Sequence, residues 1–284
     1  MQTSPILIIG KTAKTGLRVE QRLQALGYDT RAVSRGSSPA FDWEDPATWR
    51  EAMQGTELAY VTFYPDLAVP TAEKIIGDFF ATAKKVGLRH IVLLSGRGEQ
   101  GAERAEGLLT NSGLDWNVVR ASWFMQNFSE GFMIDGILNG DLTLPAGDIA
   151  EPFIDIDDIA DVAVAALTRP DLRNRLFEVS GPRALTFAQC AAEISYAAAY
   201  TVEYTQISME AFSQLLHDQG MPEEMLWLMS ELFTVVLDGR NSQPTSGVEE
   251  ALGRPATDFS EYLEKVMASG AWDRSGLLQR HERA

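Results

Sequence analysis

Cysteine is nearly absent from this 284-residue chain. Cys190 stands alone, which excludes an internal disulfide framework and any zinc site built on cysteines. Histidine is almost as scarce, and His90, His217 and His281 lie too far apart to suggest a local metal motif. No apolar run approaches the roughly 20 residues of a membrane span, and Met1-Gln-Thr-Ser-Pro5 puts no basic stretch ahead of its short apolar run. Basic charge is also in deficit: 24 Lys and Arg face 40 Asp and Glu, a formal net charge of −16. Such a field repels phosphate polyanions and anionic bilayers at long range, so neither a nucleic acid nor a membrane is expected as partner. Hydrophobic residues at 45% and charged residues at 23% are ordinary for a globular chain and argue against global disorder. The expectation is a soluble, cytoplasmic protein with one large domain or two modest ones.

What is present is an alternation. Ile6-Leu-Ile-Ile9 is a bare apolar run of strand length, the pattern of a strand covered on both faces of a parallel sheet. Leu17, Val19, Leu23 and Leu26 then recur at helical spacing, and Gly27 stops the helix. Thr30–Ser34, Leu58–Thr62, His90–Ser95 and Trp116–Arg120 read as further strands, with helices over 46–53, 70–86 and 102–111. Five strand–helix units at this spacing predict right-handed crossovers and a doubly wound parallel sheet of the α/β class. In the second half, 153–167 reads as a short strand running into a helix, and Leu176–Ser180 as a strand. Helices are predicted around 187–199, 209–219 and 223–237, with a strand at 201–205 as a further candidate. This part forms a smaller, mostly helical cap.

The most informative segment is Gly10-Lys-Thr-Ala-Lys-Thr-Gly16, between the first strand and first helix. There a pyrophosphate can rest on free helix N–H groups while small residues admit the backbone; a plain tight turn is the alternative. Ala13 stands where a glycine is common, so its φ must stay negative or carry strain. A P-loop is excluded, because it needs a glycine where Pro5 stands. The second strand ends in Ser34-Arg-Gly-Ser-Ser38, without the carboxylate that would receive a ribose 2′-hydroxyl. Arg35 offers a planar fork to a 2′-phosphate, with Ser34, Lys11 and Lys14 nearby, so NADP(H) is favoured over NAD(H). A solvated arginine is the bland reading of the same residue.

These residues, with Phe41-Asp-Trp43, Ser112–Trp116, Val119–Asn127, Phe153–Asp161, Ser180-Gly-Pro182 and Leu252-Gly-Arg-Pro255, resemble the NmrA-like group of atypical short-chain dehydrogenases/reductases. Lys14-Thr15, and Phe41-Asp-Trp43 before Thr48-Trp49, resemble the branch of agroclavine and festuclavine dehydrogenases. Ala121 and Ala199 depart from the group's proline and glycine. The resemblance implies a Rossmann-fold domain over 1–128, completed by 153–180 and 244–275. A substrate-binding cap over 129–152 and 181–243 would hold a small hydrophobic substrate against the sheet. It also implies cofactor contacts from Gly10, Lys11, Thr12, Ala13, Lys14, Thr15, Gly16, Ser34, Arg35, Asp42, Trp43, Thr62, Phe63, Ser95 and Gly96.

None of the seven tyrosines is followed four residues later by lysine, so the Tyr-x-x-x-Lys pair of ordinary short-chain dehydrogenases is missing; Tyr262 and Lys265 have the wrong spacing. Hydride transfer to an iminium or quinone needs no strong protein acid, only alignment and an apolar wall. Tyr64 is the leading proton donor or orienting hydroxyl, with Ser95 second; both residue types also serve as ordinary packing and capping groups. Tyr64, Arg97, Trp123, Phe124, Met125 and Asn127 are candidates for the substrate pocket, the aromatic and methionine side chains being equally compatible with core. Asp155, Asp157, Asp158 and Asp161 fit helix-start charge better than a metal cluster, and no metal is expected. Three functions remain open. One is an NADPH-dependent reductase of a small, hydrophobic, cyclic imine, enone or quinone. Another is a non-catalytic NADP(H) sensor docking on a protein partner, and the last a non-redox cyclase or isomerase. A homodimer is compatible with each.

Overall fold

The computed structural model describes residues 4–274; Met1–Thr3 and 275–284, His281 among them, lie outside the described residues. The chain divides into two compact units, each considered by itself. The first contains residues 4–122 with Ile156–Ser180 and Thr245–Ala256; the second contains Trp123–Asp155, Gly181–Pro244 and residues 257–274.

In order, the elements are β1 (Ile6–Ile9), α1 (Lys14–Ala25), β2 (Thr30–Val33), α2 (Trp49–Met53), β3 (Leu58–Val61), α3 (Ala72–Val86), β4 (His90–Gly96), α4 (Gln100–Thr110) and β5 (Asp115–Ala121). Then come α5 (Ile134–Asn139), β6 (Asp141–Leu144), α6 (Ile156–Thr168), β7 (Arg175–Val179), α7 (Phe187–Ala198), β8 (Glu203–Gln206), α8 (Met209–Asp218), α9 (Glu223–Glu231), α10 (Gly247–Leu252) and α11 (Phe259–Ser269).

The first unit is the doubly wound sheet that the alternation predicts. Its strands run parallel in the order β2-β1-β3-β4-β5-β7, with Ile8 opposite Tyr60 and Leu93 opposite Val118. Every residue of β1 and β3 is buried, which is why these strands read as unbroken apolar runs instead of alternating ones. One face packs Leu7, Ile9, Val61 and Leu93 beneath Trp49, Ile76, Phe79 and Leu109 from α2, α3 and α4. The other carries α1, α6 and α10. Gly27 and Gly87 follow α1 and α3 with φ of +82° and +98°, the left-handed conformation that ends a helix. The helix expected from Pro70 begins two residues later, because Val69–Ala72 forms a turn closed by a 3.0 Å backbone bond.

In the second unit, α5 and β6 were not expected from the sequence; the candidate strand at 201–205 corresponds to β8, which pairs parallel with β6, and the helix predicted over 223–237 changes to a π turn at Leu232–Val236. The boundary at the C-terminal side also differs. The sequence assigned 244–275 to the sheet domain, whereas residues 257–274 pack into the second unit. Phe259 packs edge-on against Phe128 at 5.6 Å, Tyr262 donates to Ser129 at 2.7 Å, and Lys265 pairs with the buried Asp155 at 2.8 Å. Trp123 and Met125–Phe128 likewise fall in this unit and not with the sheet, as Trp123 packs edge-on against Phe187 and Phe233 at 5.6 and 5.0 Å.

Asp258 caps α11 by accepting the Ser260 N–H and pairs with Arg183, which also bridges to Glu193 at 2.7 Å. The Arg183 hydrogen bond is the main cause that holds the Asp258 carboxyl down at about 2. A carboxylate depressed in the folded state stabilises above its unfolded pKa of about 3.9 and loses that contribution as pH falls through its folded value. Asp258→Asn, which retains a capping side chain, should therefore lower stability by about 0.5–1 kcal/mol at pH 7, the pair being partly solvated. Denaturant titrations of variant and wild type should converge between about pH 4 and pH 2.

Candidate functional site

A doubly wound sheet opens a crevice at its carboxyl edge where the strand order reverses. Here the reversal lies between β1 and β3, since the chain leaves β1 for β2 on one side and then crosses to β3 on the other. Gly10, the first residue after β1, has φ +103°, and a Cβ there would stand 2.3 Å from Thr62 Oγ1. Gly16 sits so close beneath the turn that a Cβ would lie 2.1 Å from the Gly10 carbonyl oxygen. Neither position tolerates a side chain. Thr62 seals the edge, its N–H and hydroxyl both donating to Ile9 O at 3.3 and 3.1 Å. Ala13 is extended at φ −73° and ψ 145°, so its methyl introduces no strain.

Ala13 is also the N-cap of α1, yet it provides no side-chain acceptor, and the first turn holds no acidic residue. The leading amides, those of Lys14, Thr15 and Gly16, have no carbonyl within the helix to bond. They and the helix dipole form a cradle for an anion. Lys11 and Thr12 are exposed beside it, while Thr15 is buried against the sheet. The Lys11 N–H bonds Val33 O at 3.1 Å and so ties this loop to the end of β2. There Ser34–Ser37 makes a turn: the Ser37 N–H donates to Ser34 O at 3.2 Å, and Ser37 Oγ accepts the Ser34 N–H at 2.8 Å. Arg35 is exposed at the tip. Among the described residues, neither the Arg35 guanidinium nor the Lys11 ammonium has an ion-pair or hydrogen-bond partner. Arg22, Arg97, Arg120, Arg183 and Arg254, by contrast, are all held by carboxylates.

Other residues expected at the site are placed differently. Trp43 is core: it packs 4.8 Å from Phe63 and 5.1 Å from Phe79, and its Nε1 donates to Thr62 O at 3.2 Å. The Asp42 carboxylate accepts the Glu44 N–H at 3.1 Å, fixing a local turn. Both support the edge from beneath. Tyr64 follows Phe63 and is 70% exposed, with no hydroxyl partner among the described residues. Ser95 is not available as a catalytic hydroxyl, because it is buried and donates to Glu106 Oε1 at 2.5 Å. Arg97 is not a free pocket residue either. Its Nε holds Glu178 at 2.7 Å, and Glu178 also faces Arg120, which grips Glu106. A buried serine beside this chain of charges serves the network. In the second unit Trp123 and Met125 are buried, whereas Phe124 and Asn127 are partly accessible. The aspartates at the start of α6 are engaged by arginine: Asp157 by Arg22 at 2.7 Å, Asp158 by Arg254 at 2.7 Å, and Asp161 by both. Cys190 is fully buried, and burial pushes its thiol up.

One pair at this edge was not read from the sequence. Asp66, in the loop after β3, accepts the Ala68 N–H at 2.8 Å and shares a hydrogen bond with Glu99, in the loop after β4. Burial pushes the Asp66 carboxyl above its ordinary range, against the opposing effects of Ala68 and Glu99. Glu99 is only 6% exposed, and its carboxyl group lies on Gly96, where a Cβ would be 2.2 Å from both oxygens. Gly101 lets α4 close on the Asp66 loop; a Cβ there would be 2.6 Å from Ala68 O. The crowding of glycines at 96, 98 and 101 was the available signal, since glycine marks close backbone approach.

The model of the NmrA-like family matches residues 104–266, more than half of the chain. The chain belongs to the NmrA-like family. Among its relatives, an NAD(P)H azoreductase from Xenophilus azovorans is 30% identical, the alignment covering 93% of this chain and 98% of that protein. An agroclavine dehydrogenase from Claviceps fusiformis is 29% identical over 91% of this chain and 96% of its own length, matching the branch resemblance read from Lys14-Thr15 and Phe41-Asp-Trp43. Among solved structures, an NADPH-dependent quinone oxidoreductase from Escherichia coli, complexed with NADPH, superimposes with a TM-score of 0.77 at 19% identity. It covers 92% of this chain and 99% of that one, and shows the shared fold.

In this NmrA-like turn, Gly16→Ala should lower stability by about 1–3 kcal/mol, because the new methyl meets backbone that cannot rotate away. Ala13→Gly, at a negative φ, should change it by less than about 1 kcal/mol. Thermal melts of the two variants check the contrast.

Proposed function

We propose that this NmrA-like protein is an NADPH-dependent reductase that delivers hydride to a small hydrophobic, cyclic acceptor: an imine or iminium, an enone or a quinone. The observation that carries the reading is the uncapped, acid-free start of α1 flanked by the unpaired cations Lys11 and Arg35, in a chain of net charge −16. The residues present fit a dinucleotide, since Gly10 and Gly16 hold open a backbone cradle that a Cβ would fill.

In this reading the amides of Lys14, Thr15 and Gly16 receive the pyrophosphate, with Lys11, Thr12 and Ala13 lining the turn. Arg35 and Lys11 hold the 2′-phosphate beside Ser34, the guanidinium fork matching phosphate geometry. Thr62, Phe63 and Gly96 form the strand-end floor of the crevice. The bound dinucleotide supplies hydride from its nicotinamide C4. The chain's part is alignment and exclusion of water, with Tyr64 as the orienting hydroxyl. An acid of the Tyr-x-x-x-Lys kind is not invoked: Tyr262 is buried on Ser129, and Lys265 is engaged by Asp155. The azoreductase relative is an NAD(P)H enzyme and the clavine relative a dehydrogenase, which supports redox chemistry on this scaffold.

The test couples binding titrations of NADPH and NADH with NADPH oxidation against panels of cyclic imines, enones and quinones. Turnover with any of these classes is expected. Tight NADPH binding with none would replace the reductase by a redox sensor. Arg35→Ala should weaken NADPH about 10–100-fold, equivalent to about 1.4–2.7 kcal/mol, and NADH by less than about threefold. Equal losses would remove Arg35 from the 2′-phosphate.

A further inference from the structure

We propose that Arg120 is a positioning residue for hydride transfer, holding the end of β4 in the shape on which the nicotinamide aligns. The inference rests on the reductase reading, which places Gly96 in the floor of the crevice.

The residues on either side of Gly96 are both tied down, and by the same assembly. Ser95 donates to Glu106 Oε1 at 2.5 Å, and Glu106 lies on α4. Arg97 donates through its Nε to Glu178 Oε1, on β7, at 2.7 Å. Arg120, on β5, joins the two glutamates. Its Nε donates to Glu106 Oε1 at 3.0 Å, its Nη2 donates to Glu106 Oε2, and its Nη1 reaches Glu178 Oε2 at 3.5 Å. The five side chains form a ring that leaves the backbone at Ser95 and returns to it at Arg97, with Gly96 as the closing link. The Arg97 N–H adds a backbone tie, donating to Ala121 O at 2.9 Å.

Cohesion does not account for this ring. Ser95, Arg120 and Glu178 stand opposite one another in a single row across β4, β5 and β7, while the row before it is Leu94, Val119 and Phe177. The side chains of Arg97 and Glu106 are only 9% and 6% exposed. Withdrawing such charges from water costs free energy that another apolar row would not, so the pairs add little net stability. What they add is direction, because a satisfied network of hydrogen bonds fixes angles that apolar contacts leave loose. That direction is imposed one row short of the carboxyl edge, where ligands of such sheets bind. Arg120 is the member on which the ring depends, since its planar fork uses Nε, Nη1 and Nη2 together, which an ammonium cannot copy. The Glu106 hydrogen bond is the main cause that raises its guanidinium further above the ordinary arginine value, so it stays charged and moves no proton. Arg120 does not touch the reacting atoms in this scheme. It acts through Ser95 and Arg97, as the supporting layer beneath a site that must be held within a fraction of an ångström.

The test compares wild type, Arg120→Lys and Ser95→Ala in NADPH titrations and in single turnovers with an acceptor that wild type reduces. Arg120→Lys keeps the charge and loses the fork. Its hydride transfer should slow about 10–100-fold, since a misplacement of about 1 Å costs on the order of 100-fold. NADPH should still bind at full stoichiometry with Kd within about threefold, because the reading seats the phosphates on the loops after β1 and β2. Ser95→Ala opens the ring at one end and should slow transfer about 3–10-fold, the scale of one hydrogen bond, with the pH profile unchanged in shape. It decides the matter if Arg120→Lys fails to fold. Unaltered transfer rates in the folded variants, or NADPH binding lost in step with the rate, would overturn the positioning role while leaving the reductase intact. A changed pH profile in Ser95→Ala would overturn it as well, by making the serine a proton donor. A wild type that reduces none of the cyclic imines, enones and quinones would overturn the reductase reading and the positioning role together.

Discussion

The seating of α1 on the turn after β1 is the contact from which the rest of the first unit is set. Gly16 lies against the Gly10 carbonyl at a distance no side chain would permit, while the same carbonyl receives the Ala13 N–H at 2.9 Å. This fixes both where α1 begins and how far it stands from the sheet. Its opposite flank then meets α6 through Arg18 and Arg22, which pair with Asp157 and Asp161, and Arg254 joins Asp158 and Asp161 from the loop after α10. Partly solvated pairs of this kind contribute little stability each. They set the angle of the helix, whereas the buried apolar residues of β1 and β3 supply the cohesion. A displacement of α1 would move its leading amides and the charge cluster together.

The charge distribution adds a second constraint. A chain with 40 acidic and 24 basic residues has few cations to spare, and the described arginines are largely committed to carboxylates. Lys11 and Arg35 are therefore informative because they are left unpaired, at the one edge where the loops after β1 and β2 meet. An anion bound there gains local attraction against an unfavourable long-range field, which favours a ligand that fits the cradle over anions in general.

Legibility in the sequence followed burial. Strands covered on both faces announced themselves as apolar runs, and glycines at helix ends marked the stops, so the doubly wound sheet could be read directly. The glycine turn was legible for the same reason, being confined to consecutive residues. Side chains whose roles depend on partners distant in sequence were not. Ser95 sits at a strand end, as an active-site hydroxyl would, but Glu106 one helix later takes it. Trp43 lies in a motif from which a cofactor contact was expected, yet Phe63 and Phe79 turn it into core. The amphipathic pattern of α11 suits packing on any apolar surface, and only Arg183, Asp155 and Ser129 show which one it covers. Asp66 and Glu99 look like solvated loop acids until two glycines bring their loops together.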